Sequence, residues 1–232
     1  MNDSQRLPVT FSLIAASVVI YAGLALLSAS GFVSGLLLQP QWAIEGGGME
    51  PRLVAQGEVW RLVSSMFLHA SIVHVAVNML ALYFLGSFAE QTFGGGRFLA
   101  LYLVSGLAGG VAALYFSEFS VPVGGASGAI FGILGGILGF AIRRGTFTMR
   151  NPVIMQLVFI AAINLFIGAS IPNISNTAHI GGMVGGLFFG ALIATSIYSR
   201  KRGAIAVPLA VTLVLETILV ALWMVSAGSV TL

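Results

Sequence analysis

Apolar residues are gathered into seven long runs along the chain, and polar residues are mostly confined to the stretches between them. A helix needs about 20 predominantly apolar residues to cross a bilayer, and each run has about that length. The pattern therefore predicts an all-α polytopic membrane helix bundle, with one long connection at residues 30–67. The predicted spans are 9–29, 68–88, 97–117, 126–143, 153–170, 178–198 and 204–226.

The composition shows which surroundings this bundle needs. Of the 232 residues, 58% are hydrophobic and 7% are charged, whereas a soluble domain carries about 25% charged residues. A lipid bilayer must therefore cover most of the surface. The chain has no cysteine, which excludes disulfides and thiolate metal sites. It also has no basic patch of the size that nucleic-acid binding requires, so nucleic acid is not an expected partner.

The basic residues are distributed unevenly between the two ends of the spans. If the N-terminus is cytoplasmic, only Arg52 and Arg61 fall on the outer side. Those on the inner side are Arg6, Arg97, Arg143, Arg144, Arg150, Arg200, Lys201 and Arg202. Because cytoplasmic loops are enriched in Lys and Arg, we expect an integral protein of the bacterial inner (plasma) membrane. The long connection then lies outside, and the second, fourth and sixth spans run inward.

This orientation places the few polar residues of the spans at one depth. His69 and His74 fall in the first turns of the second span, Ser127 begins the fourth, and His179 begins the sixth. A lone serine in such a helix usually serves packing, and a lone histidine at a helix end is usually an interfacial anchor. Asn78 shares a helix face with His74. The convergence of His74, Asn78, Ser127 and His179 from three helices instead indicates a functional site.

Glycines in the fourth and sixth spans predict that these two helices pack closely. Small residues four positions apart let membrane helices approach each other. Because Ser127 and His179 begin the two helices, close packing would bring a hydroxyl group to an imidazole ring. The glycines are Gly128, Gly132, Gly136 and Gly139 in the fourth span and Gly182, Gly186 and Gly190 in the sixth.

A hydroxyl beside an imidazole indicates nucleophilic catalysis. His179 could take the proton of Ser127 as a general base. No acidic residue is positioned to orient the histidine, so we predict a catalytic dyad in place of a triad. Phe131 lies one turn below Ser127 on the same face and could hold the His179 ring by stacking.

The same reaction would create an oxyanion that needs hydrogen-bond donors. The backbone N–H of Ser127 stands at a helix N-terminus, where amide donors have no intrahelical partner. His74 and Asn78 could add side-chain donors. Gly124 and Gly125 would let the preceding loop turn tightly toward the serine. The fourth span is also short, which predicts a pocket that water enters from outside.

Four motifs in the sequence carry a resemblance to a known family. Gly125-Ala126-Ser127-Gly128 fits G-x-S-G, and Ala178-His179 with Gly182 and Gly186 fits A-H-x-x-G-x-x-x-G. His69, His74 and Asn78 fit H-x-x-x-x-H-x-x-x-N, and Trp60-Arg61 fits a W-R pair in the first loop. The sequence resembles the rhomboid intramembrane proteases.

The resemblance implies one membrane domain over residues 1–232, with a six-helix core at about 9–198 and an additional span at 204–226. It implies cleavage, without metal or cofactor, of single-span membrane proteins in or near the outer end of their span. Ser127 and His179 would be catalytic, and His74, Asn78 and the Ser127 amide would form the oxyanion hole.

The resemblance also implies supporting residues around the site. They would be His69, Gly125, Gly128, Phe131, Gly182 and Gly186. Trp60 and Arg61 would be structural or lipid-facing. The sequence departs from many members at Phe131, where they have tyrosine.

Two other interpretations remain open. The chain could be an inactive relative that binds membrane proteins without cutting them, although such relatives typically lack the serine or the histidine. It could also be a transporter or a metal site built on the histidines. His69 and His74, however, point about 140° apart on a helix of 3.6 residues per turn, and no inverted repeat typical of transporters is evident.

Glu216 is the one acidic residue near the middle of a span. A bare carboxylate is disfavoured there, so we expect Glu216 to be protonated and to face protein. We expect its partner to be Asn164, which should lie at a similar depth; a local bond within the seventh span is the alternative.

Overall fold

The computed structural model describes residues 7–28, 31–37, 46–117, 122–170, 174–196 and 204–228. Its helices are α1 (Pro8–Leu26), α2 (Phe32–Leu37), α3 (Pro51–Ala55), α4 (Arg61–Ser64), α5 (Ile72–Phe93), α6 (Gly95–Phe116), α7 (Ser127–Arg143), α8 (Pro152–Ser170), α9 (Asn176–Ser196) and α10 (Ala206–Gly228), and a 3₁₀ turn covers Ser65–Phe67. The predicted inner-side residues Arg6, Arg200, Lys201 and Arg202 lie outside the described part of the chain.

The prediction of an all-α membrane bundle is confirmed. Six helices, α1, α5, α6, α8, α9 and α10, are long and apolar enough to cross a membrane. The predicted boundaries agree with the structure to within a few residues, except for the second span. The sequence pattern predicts that this span starts at residue 68, whereas α5 begins at Ile72 because the extended Ser71 caps it and accepts a hydrogen bond from the His74 N–H at 3.2 Å. His69 therefore precedes the helix, and its placement in the first turn was wrong.

The shortest of the seven long helices, α7, lies at the centre of the bundle. Its sequence is apolar all round, which is typical of a helix that is buried on every side, and 13 of its 17 residues are buried. It packs mainly against α6 and α9. Seventeen residues give about 26 Å at 1.5 Å per residue, which is shorter than the ~30 Å hydrocarbon core.

The predicted close packing of α7 and α9 is confirmed. A Cβ atom added to any of three glycines of α9 would collide with the backbone carbonyl group of a glycine of α7. The pairs are Gly182 with Gly128, Gly186 with Gly132, and Gly190 with Gly136. The two backbones therefore touch in register over two turns. This packing brings the N-terminal ends of α7 and α9 side by side.

A buried carboxylate that the sequence analysis did not single out fixes α1 to α5. Glu90 accepts hydrogen bonds from the Val9 N–H at 3.0 Å, from the Thr10 N–H at 2.8 Å and from the Thr10 hydroxyl at 2.7 Å. Charged acceptors at a helix N-terminus make strong hydrogen bonds with its free N–H groups. Glu90 thus caps a helix that lies 80 residues away in sequence.

The seventh long helix, α10, packs against α6, α9 and α3. Glu216 is 8% exposed, so the expectation that it faces protein is confirmed. The predicted pairing with Asn164 is wrong, because the Asn164 amide is exposed and donates to the Ile160 carbonyl of its own helix at 2.8 Å. Within the described ranges, neither oxygen of the Glu216 carboxyl group has a hydrogen-bond partner. A similar depth in the membrane does not decide which helices become neighbours.

Candidate active site

The side chains of Ser127 and His179 meet at the N-terminal ends of α7 and α9. The Ser127 Oγ and the His179 Nε2 are 2.9 Å apart, which is within the reach needed for proton transfer. The Phe131 ring stacks on the His179 ring with the centroids 4.4 Å apart and the planes 9° from parallel. The His179 Nδ1 is buried and has no hydrogen-bond partner among the described residues. The geometry thus contains the predicted pair of side chains and the predicted stacking.

The loop before Ser127 is held by backbone hydrogen bonds on both of its sides. Val123 and Met49 exchange two bonds, of 2.8 and 2.7 Å, and the Gly125 N–H donates to the Ser65 carbonyl at 2.9 Å. Gly125 has φ +132°, a conformation that side-chain-bearing residues rarely adopt. Met49 and Ser65 were not singled out from the sequence, because nothing local marks a residue whose role is to pair with a distant loop.

His69 supports the same loop from beneath. Its Nε2 accepts a hydrogen bond from the Ala126 N–H at 3.4 Å, and its side chain is almost fully buried. Burial, reinforced by the nearby His74, lowers the pKa of His69 to about 4. The ring is therefore neutral at ordinary pH and able to accept this bond. The structure places His69 next to the serine loop rather than in contact with the Ser127 hydroxyl.

His74 faces Ser127 across a gap that Gly125 leaves open. The His74 Nδ1 accepts from the Ala70 N–H at 3.4 Å, which leaves the ring proton on Nε2. A Cβ atom built on Gly125 would lie 3.0 Å from the His74 Nε2 and 3.7 Å from the Ser127 Oγ. The His74 Nε2 therefore borders the space beside the serine hydroxyl.

Asn78 lies one turn below His74 on α5 and is buried. Its Nδ2 donates to the His74 carbonyl at 2.8 Å. An amide nitrogen carries two hydrogens, so one donor remains for another acceptor. Half of the donor capacity of Asn78 is thus used by its own helix.

The Trp60-Arg61 pair organises the loop outside the bundle. The buried Arg61 guanidinium donates to the Gly48 carbonyl at 2.9 Å and to the Glu58 carboxylate at 2.7 Å. It also lies 4.8 Å from the centroid of the half-exposed Trp60 ring. These contacts fix the loop close to Met49 and place neither residue in contact with Ser127.

The fold and the site define a polytopic helical membrane protein with a serine–histidine pair at the N-terminal ends of two closely packed helices. Residues 56–196 match the Rhomboid domain family, and the chain belongs to that family. It is therefore an integral membrane protein.

Three relatives illustrate the range of the family. The chain is 43% identical over 147 residues to rhomboid protease GluP of Bacillus subtilis, 40% identical over 149 residues to RHOMBOID-like protein 5 of Arabidopsis thaliana, and 31% identical over 140 residues to inactive RHOMBOID-like protein 8 of the same plant. The match to GluP covers 63% of this chain and 28% of GluP. The match to RHOMBOID-like protein 5 covers 63% of this chain and 48% of that protein, and the match to RHOMBOID-like protein 8 covers 60% and 39%. The chain therefore matches less than half of each relative.

Proposed function

We propose that the chain is an intramembrane serine endopeptidase that hydrolyses peptide bonds in or near the spans of other membrane proteins. The observation that carries the proposal is the 2.9 Å contact between the Ser127 Oγ and the His179 Nε2. A serine hydroxyl becomes a nucleophile when an adjacent base takes its proton. Membership of the rhomboid family and the similarity to a relative named as a protease support the same activity.

In the proposed reaction, His179 acts first as a base and then as an acid. Its Nε2 takes the Ser127 proton while the Oγ attacks the scissile carbonyl carbon. The imidazolium then gives this proton to the leaving amine, and the acyl group remains on Ser127. Water, activated by the same histidine, hydrolyses the ester and restores the serine. The stacked Phe131 orients the ring during both steps, which is the role that a carboxylate has in a triad.

We propose three donors that would stabilise the oxyanion forming on the scissile carbonyl oxygen. The Ser127 N–H stands in the first turn of α7, where it has no intrahelical acceptor. The His74 Nε2–H is the second, because the His74 Nε2 borders the space beside the hydroxyl, and the second N–H of Asn78 is the third. Donors of this kind contribute strongly in a site from which bulk water is excluded.

The position of the site determines the proposed substrates. Both catalytic residues begin helices that we propose to enter from the outer face of a bacterial inner membrane. The short α7 would leave space for water above Ser127. We therefore propose that the substrates are single-span membrane proteins, cut at the outer end of their span.

Cleavage in liposomes tests this proposal. The purified chain is reconstituted with a panel of single-span proteins, and the products are identified by mass spectrometry. We expect defined products from the wild type and none from Ser127→Ala or His179→Ala. Ser105→Ala is the matched control, because Ser105 is a fully buried serine of α6 outside the site, and it should cleave normally.

The relative named as inactive favours one second candidate, a membrane protein that binds its clients without cutting them. In that case the folded wild type would retain single-span proteins on purification but release no product. Cleavage that persists in folded Ser127→Ala would contradict the assignment of the nucleophile.

A further inference from the structure

One buried apolar cluster joins α10 to the loops that carry the active site. Its members come from the long outer connection, from α6, from the start of α9 and from the outer half of α10. They are Met49, Val54, Leu62, Ala113, Leu114, Ala178, Trp223 and Ala227, with Ala55, Leu107, Val123, Val220 and Met224 packed against them. Two of the contributing elements, α3 and α10, lie outside the segment 56–196 that matches the family.

Two members of the cluster are close neighbours of the proposed catalytic residues. Val123 lies four residues before Ser127, and it exchanges two backbone hydrogen bonds with the fully buried Met49. Ala178 directly precedes His179, and its carbonyl lies 3.3 Å from the position of a Cβ on Gly128. The cluster therefore includes one residue from the segment that precedes Ser127 and one from the segment that precedes His179.

The face that α10 turns toward this cluster is well defined. Trp223 is 6% exposed, whereas the adjacent Leu222 is 59% exposed and faces away from the bundle. The Tyr115 hydroxyl of α6 donates to the Leu219 carbonyl of α10 at 2.8 Å, which fixes the height of one helix against the other. Trp223 is the largest side chain that α10 contributes to the cluster, so it determines how closely α10 packs against the other members.

We propose that α10 is a positioning element of the active site and that Trp223 is its anchor. Seating of Trp223 keeps Met49 paired with Val123 and thereby holds the Ser127 loop, and it supports Ala178 next to His179. Trp223 contacts no reacting atom; it acts through the two backbones. Dyad catalysis depends on this support because no third residue among those described orients the histidine through a hydrogen bond. The inference rests on the proposed function.

The test compares Trp223→Ala and Trp223→Phe with Leu222→Ala as the lipid-facing control. Three quantities are measured for each folded protein in liposomes: kcat and KM for a cleaved single-span substrate, the rate of Ser127 labelling by a fluorophosphonate, and Tm. We expect Trp223→Ala to lower kcat and the labelling rate by roughly ten- to a hundredfold, since small misplacements of reacting groups have effects of this size. The KM of Trp223→Ala should stay close to that of the wild type. Trp223→Phe should recover most of the lost kcat and labelling rate. Leu222→Ala should have the kcat and labelling rate of the wild type.

A double variant tests the route through Met49. If Trp223 and Met49 act through one cluster, Trp223→Ala with Met49→Ala should lose less activity than the product of the two single losses, because coupled sites are not additive. A folded Trp223→Ala protein with wild-type kcat and labelling rate would overturn the inference. A fall in Tm without a fall in kcat would overturn it as well. If Trp223→Ala does not fold, Trp223→Leu is judged by the same criteria. Absence of cleavage by the wild type would instead count against the proposed function.

Discussion

At the scale of single residues, the orientation of His179 is the unusual feature of the site. A triad fixes its histidine with a carboxylate, whereas here a parallel aromatic ring covers one face of the imidazole. Stacking restrains the tilt of the ring and leaves Nε2 directed at the serine. The contact could be predicted because Phe131 follows Ser127 by one helical turn. The support from Met49 and Ser65 could not, since both act through backbone groups of distant segments.

Cleavage should increase as pH rises through the titration of His179. The proposed base accepts the serine proton only when the imidazole is neutral, so the rate should be low while His179 is protonated and should level off once it has lost its proton. The measurement is kcat/KM from acid to mildly alkaline pH, with Tm recorded at each pH. A flat profile in a protein that stays folded would argue against a histidine base.

Gly125→Ala should reduce cleavage by roughly 10²–10³-fold, the range observed when one oxyanion donor is lost. The new Cβ would enter the gap between His74 and Ser127, and the φ of +132° is unfavourable for alanine. Gly124→Ala is the matched control, because its Cβ would meet the Leu68 carbonyl at 3.4 Å and its φ is not in the positive region. The assay is kcat/KM in liposomes. Equal activities of the two variants would show that the gap at Gly125 is not needed.

At the scale of helices, the α7–α9 contact determines the distance between the two proposed catalytic residues. The glycine spacing predicts the contact, and the backbones touch at three successive levels. Membrane helices gain little from burying apolar surface, so close backbone packing is a main source of their association. Any side chain at these positions would move the two helices apart.

Gly186→Ala should lower both thermal stability and cleavage. Its Cβ would collide with the Gly132 backbone, which cannot rotate away as a side chain could. Overpacking of this kind typically costs about 1–3 kcal/mol, and separation of the helices would lengthen the Ser127–His179 contact. Gly23→Ala in α1 is the control, since nothing lies within 4 Å of its added Cβ. Tm in detergent and the cleavage rate are measured for both. A stable Gly186→Ala protein with normal cleavage would contradict the close-packing argument.

At the scale of the whole molecule, the sequence predicts the bundle well because its signals are local. Runs of apolar residues mark the spans, and the polar residues at one end of three of them mark the proposed site. Other features have no local signal in the sequence. Glu90 caps α1 across 80 residues, α10 packs on α3 and α6, and the Glu216 carboxyl group has no hydrogen-bond partner among the described residues. The start of α5 was misplaced because the residues before Ser71 are as apolar as those after it, and only the cap separates them.

The orientation is a prediction about the whole molecule that chemical labelling can check. The chain has no cysteine, so single cysteines can be introduced at exposed positions without background. Gln56→Cys in the long connection should react with a membrane-impermeant maleimide in intact cells, and Thr148→Cys between α7 and α8 should react only after the membrane is permeabilised. The positive-inside distribution of Lys and Arg is the reason. The reverse pattern would invert the proposed topology.

Site mapping of a serine-directed reagent shows whether Ser127 is the nucleophile and His179 its base. The reconstituted protein is treated with a fluorophosphonate, digested and examined by mass spectrometry, and cleavage is measured on the same samples. We expect one adduct, on Ser127, whose formation runs parallel to the loss of cleavage. We also expect that folded His179→Ala labels roughly 10³-fold more slowly or worse, because the nucleophile has lost its base. An adduct on another residue, or undiminished labelling of Ser127 in folded His179→Ala, would contradict the assignment of Ser127 and His179 as a catalytic pair.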